Sequence, residues 1–489
     1  LKVYEDLIDV GDNEQDKAEF CRVAVNEFKA SQQYREAADA EMYYSKHNAT
    51  IERYVKKITT ATGREVPDLY SANYKIKTLI FPRLVTQQTQ YILGNGVKLT
   101  NMKNKEKLGK NFDFQLQMLE IKAIVGGTGF GFWNLDHLEV FSFADTPTQP
   151  GFCPLYSEGT AELMGGIRFW SRQVGNKMLY RYTLYETDGY TEYRKSGEKD
   201  TELLKDKQPY KKVTTTTAIG GVESVAGENY GTLPIIPLYA NTQHQSELVG
   251  IKEAIDAYDF IKSGFANEID DSSGFYWLLK NAGGMDDVDI TKFIQRVKRT
   301  HAVVSDSDDD GDATAQTLNI STDAREKMLD RLEKDIYKDF QVLDLDSLTG
   351  AQKTAQELQT AYQPMDNKCA FNEYFLLEFM DKILNLAGLP NEEASFTWNK
   401  VVNQPEQTDM ILNAASYLSD ECVISHLPFL TPEEIAEEIE KRAAEQVDKF
   451  GIGKQSGKED DESEDESDSN EDDDQGNNEN DKGDSEDEE

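Results

Sequence analysis

Up to about Leu119 the apolar positions of the chain recur at helical spacing. Phe20, Ala24 and Phe28 share one face, Tyr54 and Ile58 follow, and Ile76, Ile80 and Leu84 are spaced by four. Turn residues at Gly63, Pro67 and Gly94-Asn95-Gly96 divide these predicted helices. From Ile124 to about Leu238 the period changes. Phe130, Phe132, Leu138, Val140, Phe141, Phe143, Ile167, Phe169, Tyr180, Tyr182, Leu184 and Tyr193 fall in short runs broken by glycine and proline, which predicts antiparallel strands and hairpins. The Thr-, Gly- and Val-rich run from Lys211 to Gly227 reads as a loop with room for a short strand, and Pro234 and Pro237 mark a stiff extended segment after it.

Helical periodicity then returns. Ile251, Ile255, Tyr258, Ile261, Phe265 and Ile269 lie on one stripe of an amphipathic helix that Asp270 to Gly274 terminates. Phe275 to Ile320 reads as a compact mixed insertion with a turn at Gly283-Gly284. A second helix, Thr322 to Phe340, aligns Met328, Leu329, Leu332, Ile336 and Phe340. Lys327, Arg331, Lys334 and Lys338 cluster on one of its faces and Asp323, Glu326, Asp330 and Glu333 on the next, with Asp335 and Asp339 blurring the division. Two readings stay open. The helix is solvated and laced by local ion pairs, or identical helices stand side by side in a head-to-tail ring, basic flank against acidic flank.

Leu343 to Ala351 is a short break rich in Asp and Ser, with one glycine and no basic residue. A long helix follows through Leu358, Tyr362, Met365, Cys369, Leu376, Met380 and Ile383 to Leu386. Pro364 is expected to kink it, and Gly388 and Pro390 stop it. A last helical unit uses Met410, Ile411, Ala414, Ala415 and Leu418, turns at Pro428, and restarts at Thr431-Pro432-Glu433-Glu434 as a capping box running to about Phe450. The pattern as a whole predicts an α+β fold, predominantly helical.

Charge adds a tail to that picture. The 489 residues hold 91 Asp and Glu against 52 Lys and Arg, a formal charge of −39. Glu459 to Glu489 carries 19 acidic residues and one lysine, a net of −18, which leaves −21 for the rest. Lys454 to Glu489 cannot bury enough apolar surface to order itself and reads as a disordered acidic tail. The absence of a long apolar run and of a signal-like start predicts a soluble, unexported chain with no membrane partner. Cys21, Cys153, Cys369 and Cys422 contain no close pair, so neither a disulfide framework nor a zinc site is suggested.

Candidate chemistry is sparse. Gly126-Gly127-Thr128-Gly129-Phe130-Gly131 lacks the lysine and hydroxyl of a phosphate loop and reads as a flexible turn before a strand. His47, His137, His244, His301 and His426 form no metal-binding spacing. Asp306, Asp308, Asp310 and Gly311 match the first half of a calcium loop, but Thr317 stands where a bidentate glutamate is expected, which favours a solvated acidic turn. No serine, cysteine or lysine sits in a nucleophile context, so no catalytic residue, resident metal or cofactor is assigned. The acidic body also disfavours tight nucleic-acid binding, which depends on releasing counterions through Lys and Arg. A conduit has the opposite need, because each phosphate must leave as readily as it arrives.

The order and spacing of several short marks carry a resemblance. They are Tyr43-Tyr44 and Asn48; Tyr91-Ile92-Leu93-Gly94-Asn95-Gly96; Gly166-Ile167-Arg168-Phe169-Trp170; Leu233-Pro234-Ile235-Ile236-Pro237-Leu238 with Asn241; and Ile255-Asp256-Ala257-Tyr258-Asp259. From about Tyr43 to Leu430 the chain resembles the portal proteins of tailed double-stranded DNA bacteriophages, in the subtype of long-tailed phages of Gram-positive hosts.

That resemblance implies a phage portal fold. Residues 1–250 would form most of a wing, 251–271 and 322–342 two stem helices, and 272–321 a clip. Residues 343–351 would form a tunnel loop, 352–390 a long kinked wing helix and 391–453 a crown, with the tail outside the pattern. It implies a homo-oligomeric ring of about twelve copies, assembled in the host cytoplasm with major capsid and scaffolding proteins and placed at one virion vertex. The clip would dock the terminase and then a head-completion adaptor, while double-stranded DNA passes through the channel. Leu345, Asp346, Ser347, Leu348, Thr349 and Gly350 would line that channel, and the charged flanks of the second stem helix would join neighbouring subunits. Lacking Lys and Arg, the loop would act as a gasket rather than a ratchet. Two rival readings are a calcium-dependent interaction protein built on Asp306 to Gly311 and an acidic nucleic-acid-mimicking chaperone built on the tail.

Overall fold

The computed structural model describes residues 1–59, 63–68, 71–197, 200–216, 223–272, 276–280, 312–316, 322–344, 355–400, 404–427, 430, 434–435 and 437–442. Four helices open the chain: α1 (Tyr4–Val10), α2 (Glu14–Ala30), α3 (Gln32–Tyr44) and α4 (Ala49–Arg53). Side chains of Asn13, Ser31 and Asn48 cap the last three by accepting from backbone N–H groups of their first turns. The expected helix through Tyr54 and Ile58 is not there. β1 (Lys57–Thr59) pairs antiparallel with β2 (Glu65–Pro67). Ile76 likewise lies in an extended segment, and α5 (Ile80–Leu93) begins only after it.

β3 (Val97–Leu99), a 3-10 turn (Met102–Leu108) and α6 (Phe112–Gly126) lead into the large sheet. Its strands are β4 (Thr128–Asn134), β5 (His137–Ser142), β6 (Gly151–Tyr156), β7 (Leu163–Val174), β8 (Lys177–Glu186), β9 (Gly189–Ser196) and β10 (Glu202–Gln208). They are joined by β13 (Ile235–Tyr239) beside β4. The order is β10-β9-β8-β7-β6-β5-β4-β13; neighbours pair antiparallel except β5 and β6, which meet in parallel at Ser142 and Gly151, and the late strand β13 lies at the edge. Pro237 sits in that edge strand, where a missing N–H costs no ladder bond. The run read as a loop is a hairpin of β11 (Lys211–Thr216) with β12 (Glu223–Glu228).

Next come α7 (Lys252–Ser272), a two-stranded ladder of β14 (Tyr276–Lys280) with β15 (Asp312–Gln316), and α8 (Thr322–Phe340). α9 (Ala355–Leu386) runs through Pro364 as one helix, and β16 (Ala394–Phe396) returns to pair with β3. The fold is thus mixed helix and sheet, about half helical rather than predominantly so. Leu1–Val402 forms one compact unit. The other unit, Asn403–Glu489, contains α10 (Gln404–Ala414) and α11 (Asp420–His426), the latter capped by Ser419. The final capping box at Thr431, the helix beyond residue 442 and the acidic tail lie outside the described residues.

Two apolar cores hold the first unit. One packs α1 and α2 on a face of the sheet, around Phe20, Phe28, Ile167, Phe169 and Leu184. The other gathers α5, α6, the start of α7, the end of α8 and α9, around Leu84, Leu119, Ile255, Phe340 and Phe379. The glycine cluster lies where α6 and α9 close onto β4. A Cβ on Gly129 would stand 2.7 Å from the Leu119 carbonyl oxygen and one on Gly131 2.5 Å from the Phe379 ring. Gly129 and Gly131 thus admit close packing within β4, while Gly127, at φ 82°, makes the turn that ends α6 before that strand. Gly129→Ala pushes on backbone that cannot rotate away, so it is expected to cost about 1–3 kcal/mol, measured as a lowered urea midpoint at unchanged slope.

Candidate functional site

α7 carries two different faces. Its apolar stripe, continuing from buried Ile251 just before it, is buried at Ile255 and Tyr258, grows half-exposed at Ile261 and Phe265, and reaches solvent at Ile269. Opposite that stripe, Asp259, Ser263 and Asn267 stand one turn apart and hold the extended segment before α5. The Thr78 N–H donates to Asp259 Oδ1 at 3.0 Å and the Thr78 hydroxyl to the same oxygen at 2.7 Å. The Ile76 N–H donates to Ser263 Oγ at 2.9 Å, and that hydroxyl lies 3.3 Å from the Ile76 carbonyl. The Tyr74 N–H donates to Asn267 Oδ1 at 2.5 Å, and Asn267 Nδ2 donates back to the Tyr74 carbonyl at 3.3 Å.

The periods explain the match. Four helical residues rise about 6 Å and two extended residues about 6.6 Å, so side chains four apart meet every second residue of the strap. Asp259 is fully buried and also accepts from Asn48 Nδ2 at 2.9 Å. Burial raises its carboxyl above the ordinary range, against the pull of the Thr78 and Asn48 donors. One turn earlier, Asp256 accepts from Thr50 Oγ1 at 2.9 Å, from Lys252 Nζ at 3.1 Å and from the Tyr43 hydroxyl. Tyr43, Asn48, Asp256 and Asp259, drawn from two of the sequence marks, therefore meet in one hub between α3, α4 and α7.

α8 lies against α7. Arg325 pairs with Glu268 at 2.7 Å, and the Tyr258 hydroxyl donates to Glu333 at 3.3 Å. Of the charged flanks, Glu333 is half-buried and also faces Arg83 at 3.5 Å, so it serves contacts within the chain. Arg331 reaches Asp335 at 3.6 Å along the helix. Lys327, Lys334, Lys338, Glu326 and Asp330 are exposed and take part in no ion pair among the described residues; Asp323, also exposed, accepts only from the Thr322 hydroxyl, at 3.4 Å.

The end of α8 is fixed tightly. Gln341 takes a left-handed conformation at φ 61°; its N–H donates to the Lys338 carbonyl at 3.0 Å and that of Val342 to the Tyr337 carbonyl at 3.2 Å. This is a Schellman motif without its usual glycine. Lys368 of α9 donates to the Phe340 carbonyl at 2.8 Å and pairs with Glu247 at 2.9 Å, a cation at the negative end of the helix. Gln87 Nε2 holds the Leu343 carbonyl at 2.9 Å, and Leu343 itself is buried. The chain is thus anchored up to the loop position. Leu345, Asp346, Ser347, Leu348, Thr349 and Gly350 lie outside the described residues, as do Asp306, Asp308, Asp310 and His301.

Glu120 stands behind this anchor. It is fully buried, accepts from Asn372 Nδ2 at 2.6 Å, and its second oxygen has no partner. Desolvation pushes its pKa up to about 8, with the Glu247 charge adding to the shift and Asn372 and Lys368 opposing it. Sequence reading missed both polar groups. Asp259, Ser263 and Asn267 form a readable i, i+4, i+8 stripe, whereas nothing in the sequence ties Glu120 to Lys368. Glu120 keeps its proton in the folded chain at a pH where the unfolded chain has lost it, so its contribution is greatest below about 4.5 and is lost as pH rises to about 8. Stability measured by denaturant titration should therefore fall across that window in the parent chain relative to Glu120→Gln, which removes the titration.

Residues 29–449 match the family described as phage portal protein, SPP1 Gp6-like. The chain is 23% identical over 432 residues to the portal protein of Clostridium phage phiCD119, covering 83% of this chain and 92% of that protein. It is 24% identical over 453 residues to the portal protein of Bacillus phage SPP1, covering 86% and 87%. Among solved structures it is similar to a chain in the neck of a native gene transfer agent particle, computed with C12 symmetry. That likeness has a TM-score of 0.39 and 11% identity, over 72% of this chain and 90% of the other. At that score the overlap is too loose to align individual regions.

Proposed function

The chain belongs to the SPP1 Gp6-like family of phage portal proteins, and from that premise we propose that its copies form a ring-shaped channel at one capsid vertex. DNA enters through this channel during packaging and leaves through it at ejection. The ring has about twelve copies, as a closed cyclic assembly of one repeated interface. In this reading α7 and α8 are the stem, and the β14–β15 ladder is the base of a clip for the terminase and then a head-completion adaptor. The sheet and the helices before it make the wing, α9 is the long wing helix, and residues 391–453 are the crown. The subunit performs no chemistry; the motor is the terminase. Capsid and scaffolding proteins are its assembly partners in the host, and the virion vertex is its final place.

The observation that carries the ring is the outer surface of α8. Lys327, Lys334 and Lys338 on one flank and Glu326 and Asp330 on the next are exposed and have no ion-pair partner among the described residues. A head-to-tail neighbour satisfies both flanks at once. The loop after Leu343 then faces the channel. It carries no Lys or Arg, so DNA meets hydroxyls, backbone and leucine there and slides without being held.

Electron microscopy of the purified protein tests the assembly: closed rings with a central hole are expected, and a species that stays monomeric at high concentration overturns the reading. The interface has its own check. Lys327→Glu with Lys334→Glu should shift the oligomer to smaller species in native mass spectrometry. Mixing with an Asp323→Lys, Glu326→Lys variant should restore mixed rings. For the loop, Ser347→Trp or Thr349→Trp should leave rings intact and reduce packaged DNA; normal packaging would remove the gasket role.

A further inference from the structure

The face of the large sheet that α1 and α2 leave uncovered ends in a cluster of cations around one indole. Cross-strand registry puts Trp170 of β7 opposite Arg181 of β8, and Arg181 opposite Arg194 of β9. Arg172, two residues along β7, shares that face, because side chains two apart in a strand point the same way. The guanidinium of Arg181 lies 5.3 Å from the centre of the Trp170 ring and that of Arg172 5.8 Å from it.

Most cations on this face are matched. Arg168 lies 3.6 Å from Glu139, Arg194 2.7 Å from Glu202, and Lys205 2.6 Å from Glu192. Arg172 and Arg181 have no carboxylate partner among the described residues, and Arg181 Nε is shielded from solvent with no acceptor. Arg172 is exposed, and Arg181 and Trp170 are half-exposed. In a chain of net charge −39, where a carboxylate is the commonest charged neighbour, two adjacent guanidiniums without one are donors left free for an external anion.

We propose that Trp170, Arg172 and Arg181 form an anion-binding surface that takes the phosphodiester backbone of nucleic acid. This use of the wing sheet is separate from the channel and rests on the portal reading for its choice of polyanion. Guanidiniums present planar paired donors that fit phosphate oxygens, and the indole holds them in place by its ring face. The acidic body does not forbid this, because ionic screening limits each charge to about 8 Å at physiological salt. It does require that binding be weak and strongly salt-dependent, which suits a surface that DNA must not foul.

The test uses the full chain, a short fluorescently labelled duplex and a labelled polyglutamate peptide, with anisotropy read across a salt series. Arg172→Glu with Arg181→Glu is expected to weaken duplex binding at low salt by about tenfold or more and to lower the slope of log K against log salt by about two. Arg172→Gln with Arg181→Gln, checked for an unchanged melting curve, should show the same loss in smaller measure and separates lost contacts from lost fold. Duplex binding unchanged in both variants overturns the proposal. So does a parent chain that takes polyglutamate in preference to the duplex, which would assign the face to an acidic protein. Microscopy of the same samples keeps the two readings apart: rings without face binding remove only this inference, whereas absence of rings removes the portal reading.

Discussion

A buried polar face on α7 has to be satisfied before anything else about the helix pair can be fixed. Asp259 and Ser263 are both buried, and a buried carboxylate or hydroxyl without partners costs several kcal/mol. The partners are backbone groups of a strap, taken at alternate residues by side chains one helical turn apart. This ladder sets the rotation of α7 about its axis. With one face held by the strap and the hub at Tyr43 and Asn48, only the apolar stripe is left to receive α8.

From there the constraint passes along the chain. α8 buries Ile336 and Phe340 at its end and almost nothing at its start, so its last turn is the fixed point. Lys368 donates to the helix-end carbonyl of Phe340, Gln341 takes the left-handed conformation after it, and Gln87 holds Leu343. The ion pairs nearer the start of α8 are solvent-facing, and such pairs are typically worth under about 1 kcal/mol. An interface of the kind proposed on that outer surface would therefore be tuned by the neighbour rather than by the chain itself. The proposed subunit contacts rest on this arrangement: the end of α8 held by the body of the chain, and its outer lysines and acids without ion-pair partners among the described residues.

What the sequence made legible was local. The stripe Ile251 to Phe265, the long helix through Tyr362 and Cys369, and the aromatic strands from Phe130 to Tyr193 all follow from apolar periodicity within one element. What it hid was non-local. Tyr54 and Ile58 imitate helical spacing, yet the chain leaves the helix after Arg53 because Lys57 to Thr59 finds a strand partner in Glu65 to Pro67. The strap around Ile76 has no period of its own; its conformation is set by polar groups 181 to 193 residues away. Lys211 to Gly227 reads as a loop with room for a short strand because threonines and glycines do not alternate with large apolar residues, although its ladder is regular. Of the candidate site, the α8 flanks were legible as a charge pattern. The resemblance marks at Asn48 and Asp259 were legible as a likeness only, since their contact joins positions 211 residues apart.

Hydrogen exchange at the backbone amides of Tyr74, Ile76 and Thr78 tests the ladder most directly, read in the parent chain and in Ser263→Ala and Asn267→Ala. Protection of all three amides in the parent is expected. Ser263→Ala should release Ile76 most and Asn267→Ala should release Tyr74 most, with protection in the core of α9 retained. Rapid exchange of these amides in the parent chain, or protection unchanged by either substitution, would contradict the claim that α7 is held in place by its strap.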